Sequence, residues 1–194
     1  MAPGAPTGTV PTVGAVRYVA LLRGINVGGR NLVAMKDLRE TFESAGHRAV
    51  RTYIQSGNVL FESDAPARSL EGEVEAMLER QLGFPLVVVL RSHQQLRRVV
   101  EKAPPGFGAT PDRHHSDVIF LKEPLRSREA MRAVQVRDGV DRAWPGTGVL
   151  YFERLSERLD QSRLSRIVGT PEYRRMTIRT WTTTTKLLDL LEAP

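Results

Sequence analysis

A glycine-rich loop with polar side chains follows the first apolar segment of the chain, over residues 20–31. Glycines in such a loop allow positive backbone dihedrals or a close approach of the backbone to a ligand. Backbone amides, guanidinium groups and the start of a following helix can together hold an anion. The loop is therefore a candidate site for a polar or anionic small molecule. Its candidate ligand-binding residues are Arg23, Asn26, Gly28, Gly29, Arg30 and Asn31.

The loop fits neither of the two common glycine-rich phosphate-binding motifs. It lacks the lysine of G-x-x-x-x-G-K-[ST] and the glycine spacing of G-x-G-x-x-G, so nucleotide binding by those two mechanisms is unsupported. A tight turn in which the asparagine side chains bond the local backbone is the alternative interpretation. The residue types alone do not choose between a ligand site and such a turn.

A second polar group, Gln55, Ser56 and Asn58, lies in a predicted turn between two strands. In a split βαβ arrangement we expect this turn at the end of the sheet where the first strand begins, away from the 20–31 loop. A bulge inside one long β-arm would place it differently, so the sequence leaves open whether the two groups converge. A plain hairpin is the simpler interpretation.

A third polar group lies near the end of the chain and contains Arg179, Trp181, Thr182 and Lys186. These residues could form a polar pocket with an aromatic wall. Thr182 or a neighbour is expected to cap the final helix, whose first amides can receive an anion. The alternative interpretation places Trp181 in the core, where a large aromatic side chain is most often found.

Other chemistries have weak support in the sequence. His114 and His115 begin a predicted strand and point to opposite faces, so they cannot easily share a metal ion. Neither H-E-x-x-H nor G-x-S-x-G occurs. We therefore predict no metal and no cofactor. Glu71 and Glu75 lie on one face of a predicted helix and are interpreted as solvated surface.

Composition narrows the classes of protein and partner. The chain has no cysteine, which fits a cytoplasmic protein. No apolar run is long enough to span a bilayer, so no membrane partner is predicted. Residues 92–194 hold 18 basic against 13 acidic side chains. Nucleic-acid binding through this basic second half is an alternative function. Ordinary solvated arginines are the favoured interpretation, because basic blocks are short and aromatics are not interleaved with them.

The elements that must position these residues follow the order β-α-β-β-α-β in the first half. Apolar periodicity and turn residues predict strands at 16–22, 47–54, 59–61 and 85–90, with helices at 33–45 and 68–82. This is the order of a split βαβ, or ferredoxin-like, unit over residues 16–91. Residues 92–194 repeat it more loosely, with a strand at 115–121, a hairpin of 140–144 and 149–152, and helices at 92–102, 127–136, 162–167 and 182–191.

The predicted fold class is accordingly α+β. We expect two ferredoxin-like halves, the second looser, packed as one compact unit after a disordered tail at 1–15. The tail is rich in Pro, Gly, Thr and Ala and has neither the basic nor the apolar region of a secretory signal.

Several motifs resemble the bacterial family known as domain of unknown function 1697. They are Leu21-Leu-Arg-Gly-Ile-Asn-Val-Gly-Gly29, Met35-Lys-Asp-Leu-Arg39, Thr52-Tyr-Ile-Gln-Ser-Gly-Asn-Val59, Val89-Leu-Arg-Ser92, Phe120-Leu121 and the C-terminal pattern from Arg179 to Leu187. The resemblance implies two ferredoxin-like α+β halves and transfers no catalytic role. The family usually reads Arg-Asn-Trp in the last motif, where this chain has Thr180. A hydroxyl there offers fewer hydrogen bonds than an amide.

The function favoured by these patterns is binding of a polar or anionic small molecule, phosphorylated ones included, at the 20–31 loop. Arg23 and Arg30 would supply charge, and Asn26 and Asn31 would orient the ligand. The alternative is an enzyme without metal or cofactor that uses the same polar cluster, with Tyr53 or a nearby carboxylate as acid or base.

Overall fold

The structure is a computed structural model, and it describes residues 14–26, 28–29 and 31–193. Most of the predicted tail, together with the candidate residue Arg30, lies outside the described residues. Within the described part, the elements form two four-stranded antiparallel sheets with helices against them. The chain is therefore α+β, as predicted.

The first sheet has the strand order β2-β3-β1-β4. Its strands are β1 (Val16–Leu22), β2 (Arg48–Tyr53), β3 (Asn58–Ser63) and β4 (Val88–Ser92), and its helices are α1 (Met35–Ser44) and α2 (Ala67–Leu82). Both helices cover one face of the sheet, because their apolar side chains recur at helical spacing on one side. The buried side chains on that side are Leu38, Phe42, Leu70, Val74 and Leu78.

The second sheet has the strand order β6-β7-β5-β8. Its strands are β5 (His114–Leu121), β6 (Asp141–Gly146), β7 (Val149–Leu155) and β8 (Met176–Thr180), and α4 (Ser127–Ala133) follows β5. Between β7 and β8 the chain forms three short 3-10 helices, at Ser156–Gln161, Leu164–Gly169 and Glu172–Arg175. They occupy the place in the order that α2 has in the first half.

The second half differs from the prediction in the type of one helix and in one additional strand. The segment at 162–167 is not an α-helix; its apolar residues Leu164 and Ile167 are three apart, which suits a 3-10 helix. Strand β8 was not predicted, because Thr177 and Arg179 are polar yet buried, and the usual alternation of apolar and polar residues is hidden.

The inner faces of the two sheets share one apolar core with α3 (His93–Glu101) and α5 (Trp181–Glu192). Ser92 caps α3 with the reciprocal pair of hydrogen bonds of a capping box, as its position before the helix predicts. Arg17 and Arg51 of the first sheet donate to the carbonyls of Leu191 and Leu190 at the end of α5. The core side chains are Val19, Leu21, Leu60, Val89, Leu96, Val99, Val118, Phe120, Val149, Tyr151, Leu187, Leu188 and Leu191.

Charged side chains also join the halves. Lys122, at the end of β5, lies within ion-pair distance of Glu71 and Glu75 of α2. The interpretation of these glutamates as solvated surface is wrong. Their carboxylates accept the backbone N–H groups of Leu90 and Val88, each at 2.8 Å, along the outer edge of β4. Edge N–H groups without a strand partner need such acceptors, and glutamates one helical turn apart reach alternate residues of the strand.

Candidate functional site

The 20–31 loop and the 54–57 turn lie side by side, and the expectation that they occupy opposite ends of the sheet is wrong. The backbone N–H of Leu22 donates to the carbonyl of Gly57 at 2.8 Å, and the side-chain amide of Asn26 donates to the carbonyl of Gln55 at 2.9 Å. The reason is topological. β3 is antiparallel to both β1 and β2, so β1 and β2 run the same way. The end of β1 and the turn after β2 therefore lie at the same end of the sheet.

The two asparagines of the loop bond its own backbone. Asn26 donates from Nδ2 to the carbonyl of Val33 at 3.0 Å and accepts the Val33 N–H at Oδ1 at 2.8 Å. Asn31 donates from Nδ2 to the carbonyl of Gly24 at 3.0 Å. Both have positive φ, 54° and 50°, which asparagine tolerates better than most residues. These side chains hold the loop in shape.

Asn58, the first residue of β3, is buried beside the adjoining turn. Its Nδ2 donates to the carbonyl of Tyr53 and to Oγ of Ser56, both at 3.0 Å. Its Oδ1 accepts the Nε–H of Arg179 at 2.6 Å. The second and third polar groups of the sequence are thus brought together, although they come from different sheets.

The guanidinium of Arg179 donates its hydrogen bonds to acceptors within the protein. Besides Asn58, its guanidinium donates to Oγ1 of Thr177 and to carbonyls at the ends of both sheets, including those of Leu22 at 2.8 Å and Ser56 at 3.0 Å. No carboxylate of the described residues pairs with it. Burial lowers the pKa of Arg179 to about 10, so it remains a cation at neutral pH. The geometry makes it a clamp between the sheets.

The remaining members of the third group do not contact the loop. Trp181 packs edge-on against Phe107, with ring centroids 5.2 Å apart, and against Gly108. Thr182 and Lys186 are exposed, and neither bonds the 20–31 loop in the described part of the chain. Thr180 caps α5 by accepting the N–H of Thr183.

Arg23 differs from the other polar residues of the site. Its backbone N–H is bonded to Val87, but its guanidinium lies 4.6 Å above the ring of Tyr173, which belongs to the second half. The Nε atom is buried and has no hydrogen-bond partner among the residues that the structure describes. No described carboxylate forms an ion pair with the group. Tyr173 was not a sequence candidate, because no local pattern links a 3-10 helix in one half to a loop in the other.

The rim of the site contains small and apolar residues. Gly28 and Gly29 are exposed and have φ of 59° and 74°. Leu32 and Ile54 are also exposed, at 76% and 48%. Tyr53, the candidate acid or base, packs against the core between the sheets.

The histidine pair has partners of its own. His114 is hydrogen-bonded to Thr110 and Arg142, while His115 lies 3.4 Å from Asp117. Among the described residues, no three His, Cys, Asp or Glu side chains cluster as metal ligands would. No described helix is both long and apolar enough to cross a bilayer.

Comparisons with known proteins give a family and a fold. The model of a family of proteins of unknown function, DUF1697, matches residues 16–151. A conserved bacterial protein of Streptococcus pneumoniae has a similar solved structure, with a TM-score of 0.80 and 26% sequence identity over 91% of this chain and 99% of that one. No curated protein matches the chain.

Proposed function

The chain belongs to the DUF1697 family, whose function is unknown, and we propose from the site alone that it binds a polar, anionic small molecule. The ligand carries a phosphate or carboxylate group, and Arg23 is its principal charged contact. The site lies at the end of the first sheet, beside the 3-10 helix that carries Tyr173.

The carrying observation is that Nε of Arg23 is buried without a hydrogen-bond partner among the described residues, and that no described carboxylate pairs with its guanidinium. A buried N–H without a partner costs about 1–3 kcal/mol, so the protein does not use this arginine as an internal hydrogen-bond donor in the way it uses Arg179. Because Nε is buried, a carboxylate or phosphate would accept from the terminal Nη groups, in the bidentate geometry that arginine favours. Stacking on Tyr173 at 4.6 Å holds the plane of the guanidinium in place before a ligand arrives.

The other predicted site residues support the ligand in two ways. Gly28 and Gly29 are exposed residues, and their backbone N–H groups are the proposed donors to a second ligand oxygen. Asn26, Asn58 and Arg179 act as the frame, since their side chains are occupied by the protein. A rigid frame lowers the entropic cost of binding.

Calorimetric titration with inorganic phosphate, methyl phosphate and acetate tests the proposal. We expect binding by the wild type and, in Arg23→Met, an affinity lower by roughly tenfold or more, because charge-assisted hydrogen bonds are lost. Arg39→Met is the matched control, since Arg39 is an exposed arginine of α1 that pairs with Glu43. Equal affinities of wild type and Arg23→Met for every anion would refute the assignment.

Nucleic-acid binding is a second candidate, favoured by one feature. Four exposed arginines lie just before, on and after α4, and no described carboxylate pairs with them: Arg126, Arg128, Arg132 and Arg137. A phosphate backbone would be recognised by such groups. Fluorescence anisotropy with a labelled duplex at several salt concentrations tests it, and binding that does not weaken with salt would exclude this mode.

We also infer the finer fold assignment and the location. The strand order 2-3-1-4 in both sheets supports a ferredoxin-like split βαβ unit in each half, near residues 16–91 and 92–194. The lack of cysteine supports a cytoplasmic protein.

A further inference from the structure

The two halves of the chain correspond to each other at their junction. Arg91 and Arg179 are each the fourth residue of an edge strand, β4 and β8. Each donates from Nη2 to the last residue of the first strand in the other half and to the glycine before that half's third strand, at 2.6 to 3.3 Å. The acceptor carbonyls are those of Leu22 and Gly57 for Arg179, and of Leu121 and Gly148 for Arg91. The strand registers therefore give each residue a counterpart in the other half.

In the second half, the loop between α3 and β5 places an aromatic side chain on the inner face of the sheet. Phe107 is buried there, with its ring centroid 5.2 Å from that of Tyr151 and 6.1 Å from that of Trp144. The next residue, Gly108, donates its N–H to Oε1 of Glu153 at 3.5 Å. A ring and an N–H donor thus occupy this position together.

The corresponding position in the first half is a groove of about 450 Å³. The counterparts of Tyr151, Trp144 and Glu153 are Leu60, Arg51 and Glu62 respectively. All three of these first-half residues line the groove, and the end of α5 contributes Leu191 and Ala193. Small-molecule pockets commonly have volumes of roughly 300–1,000 Å³. The groove is therefore large enough for a ligand where the second half holds its own loop.

A β-bulge opens the strand ladder at this groove. The register shifts between Arg48 and Arg51 of β2, where two residues face the single Phe61 of β3. One of the two, Ala49, lines the groove and has a φ of 51°. Alanine is strained in this left-handed region. Bulges and strained residues of this kind are concentrated next to functional sites.

The groove carries charges of both signs. Arg17 and Arg51 line it and donate to carbonyls at the end of α5. A guanidinium has five N–H donors, and neither arginine forms an ion pair with a carboxylate of the described residues. The carboxylates of Glu43 and Glu62 belong to the same lining. An occupant with one positive and one negative group would match this lining.

We propose that the groove binds an aromatic amino acid. The ring packs on Leu60 and Leu191, as Phe107 packs on Tyr151 in the second half. The carboxylate accepts from Arg51 and Arg17 in charge-assisted hydrogen bonds. The amino group donates to Glu62, the counterpart of the glutamate that accepts the Gly108 N–H.

The occupant is a small molecule and not a part of this chain. The terminal residues outside the described part, 1–13 and 194, contain no aromatic side chain that could take the place of Phe107. The groove is also separate from the site at Arg23, because Arg17 lies near the start of β1 and Arg23 follows its end. The inference therefore does not depend on the proposed function.

Calorimetric titration of the full chain with L-phenylalanine, 3-phenylpropionate and L-alanine measures the three contacts. We expect L-phenylalanine to bind at least about tenfold more tightly than L-alanine, because its ring removes apolar surface from water. We expect 3-phenylpropionate to bind roughly tenfold more weakly, because it offers no donor to Glu62. In Arg51→Met the affinity for L-phenylalanine should fall by roughly tenfold or more, since the charged hydrogen bonds are lost.

Arg48→Met is the matched control, because Arg48 lies on the same strand, pairs with Asp64 and does not line the groove. It should bind L-phenylalanine as the wild type does. Amide shifts in NMR spectra of the labelled full chain should include Ala49 and Arg51, and shifts confined to other regions would overturn the placement.

Three further results would overturn the inference. The first is an equal affinity of wild type and Arg51→Met for L-phenylalanine. The second is binding of L-alanine or 3-phenylpropionate as tight as that of L-phenylalanine, or no binding of any of the three. The third is dimerisation in sedimentation velocity that Arg51→Met abolishes and L-phenylalanine does not affect, which would assign the groove to a second copy of the chain.

Discussion

Arg179 donates its Nε–H to Oδ1 of Asn58 at 2.6 Å, and this bond joins the edge strand β8 of the second sheet to the inner strand β3 of the first. The two residues are 7% and 0% exposed. The guanidinium also reaches the carbonyls of Leu22 and Ser56. One side chain thus fixes the end of β1, the 54–57 turn and β8 relative to each other, and the proposed site is built on that junction.

Replacement of Arg179 by lysine should destabilise the protein by about 2–4 kcal/mol, because a buried charge and several buried acceptors lose partners together. Lysine keeps the charge but presents its donors from one point, so it cannot reach both sheets as the planar fork does. Chemical denaturation measures the free energy of unfolding. Arg39→Lys, on the exposed face of α1, should cost little. An equally small loss in the free energy of unfolding of both variants would show that Arg179 does not hold the two sheets together.

Gly108→Ala should lower the stability of the protein much more than Gly106→Ala does. Both glycines have positive φ, 72° and 80°, so both variants share a backbone penalty of about 1 kcal/mol. At position 108 a Cβ would also lie 2.1 Å from the indole of Trp181, whereas position 106 opens to empty space. Thermal unfolding should therefore separate the two variants, and indole fluorescence in a Trp144→Phe background should change only for Gly108→Ala. Identical behaviour would contradict the packing of Trp181 on this loop.

Lys122→Met should destabilise the protein by about 1–3 kcal/mol, because it leaves two half-buried carboxylates facing each other without their shared cation. The side chains of Lys122, Glu71 and Glu75 are 17%, 22% and 25% exposed. Lys36→Met removes an exposed pair with Glu40 and should cost at most about 0.5 kcal/mol. Urea denaturation of both variants tests the difference, and added salt should narrow it. A Lys122 variant as stable as the wild type would refute the role of this cluster.

His47 should make the stability depend on pH below neutrality. Burial against Phe42 and Phe61 lowers the pKa of His47, and the negative charge of Glu73 only partly opposes this. The unfolded chain, with a pKa of about 6.5, then binds a proton more readily than the folded protein. The free energy of unfolding should fall as the pH drops from about 6.5 towards the folded pKa of His47, and should be insensitive to His47 above that range.

His47→Gln should flatten this part of the stability curve relative to the wild type, even if the variant is less stable overall. Proton NMR titration of the ring gives the folded pKa directly. A folded pKa at or above 6.5 would remove the predicted slope.

The sequence predicted most elements of the first half because their apolar patterns are regular. Leu38 and Phe42 mark the buried side of α1, and Val16–Leu22 forms the expected strand. The second half was harder, since Arg179 and Thr177 are polar residues whose burial depends on acceptors from the other sheet. Its 3-10 segments also lack the long stripe that identifies an α-helix.

The candidate site was predicted in part. The sequence identified the loop, the turn and the C-terminal polar run, and hydrogen bonds of Asn26 and Arg179 join all three. The sequence did not reveal that the side chains of Asn26 and Asn58 bond the protein, whereas Nε of Arg23 has no described partner. The hydrogen bonds of a polar side chain depend on its neighbours in the fold, and these cannot be read from the residue type. The position of Tyr173 beside Arg23 depends on a contact between distant segments, which one sequence does not display.

The contacts of Arg17 and Arg51 with the end of α5 have a consequence for biosynthesis. On the ribosome, β1 is made among the first elements and α5 after both sheets. Until α5 emerges, the face of the first sheet that carries Val19 and Leu21 lacks part of its cover. The nascent chain therefore passes through a stage in which the strands of the first sheet can pair while one apolar face of that sheet is still partly exposed to water. Completion of the core between the sheets therefore requires that α5 has been synthesised.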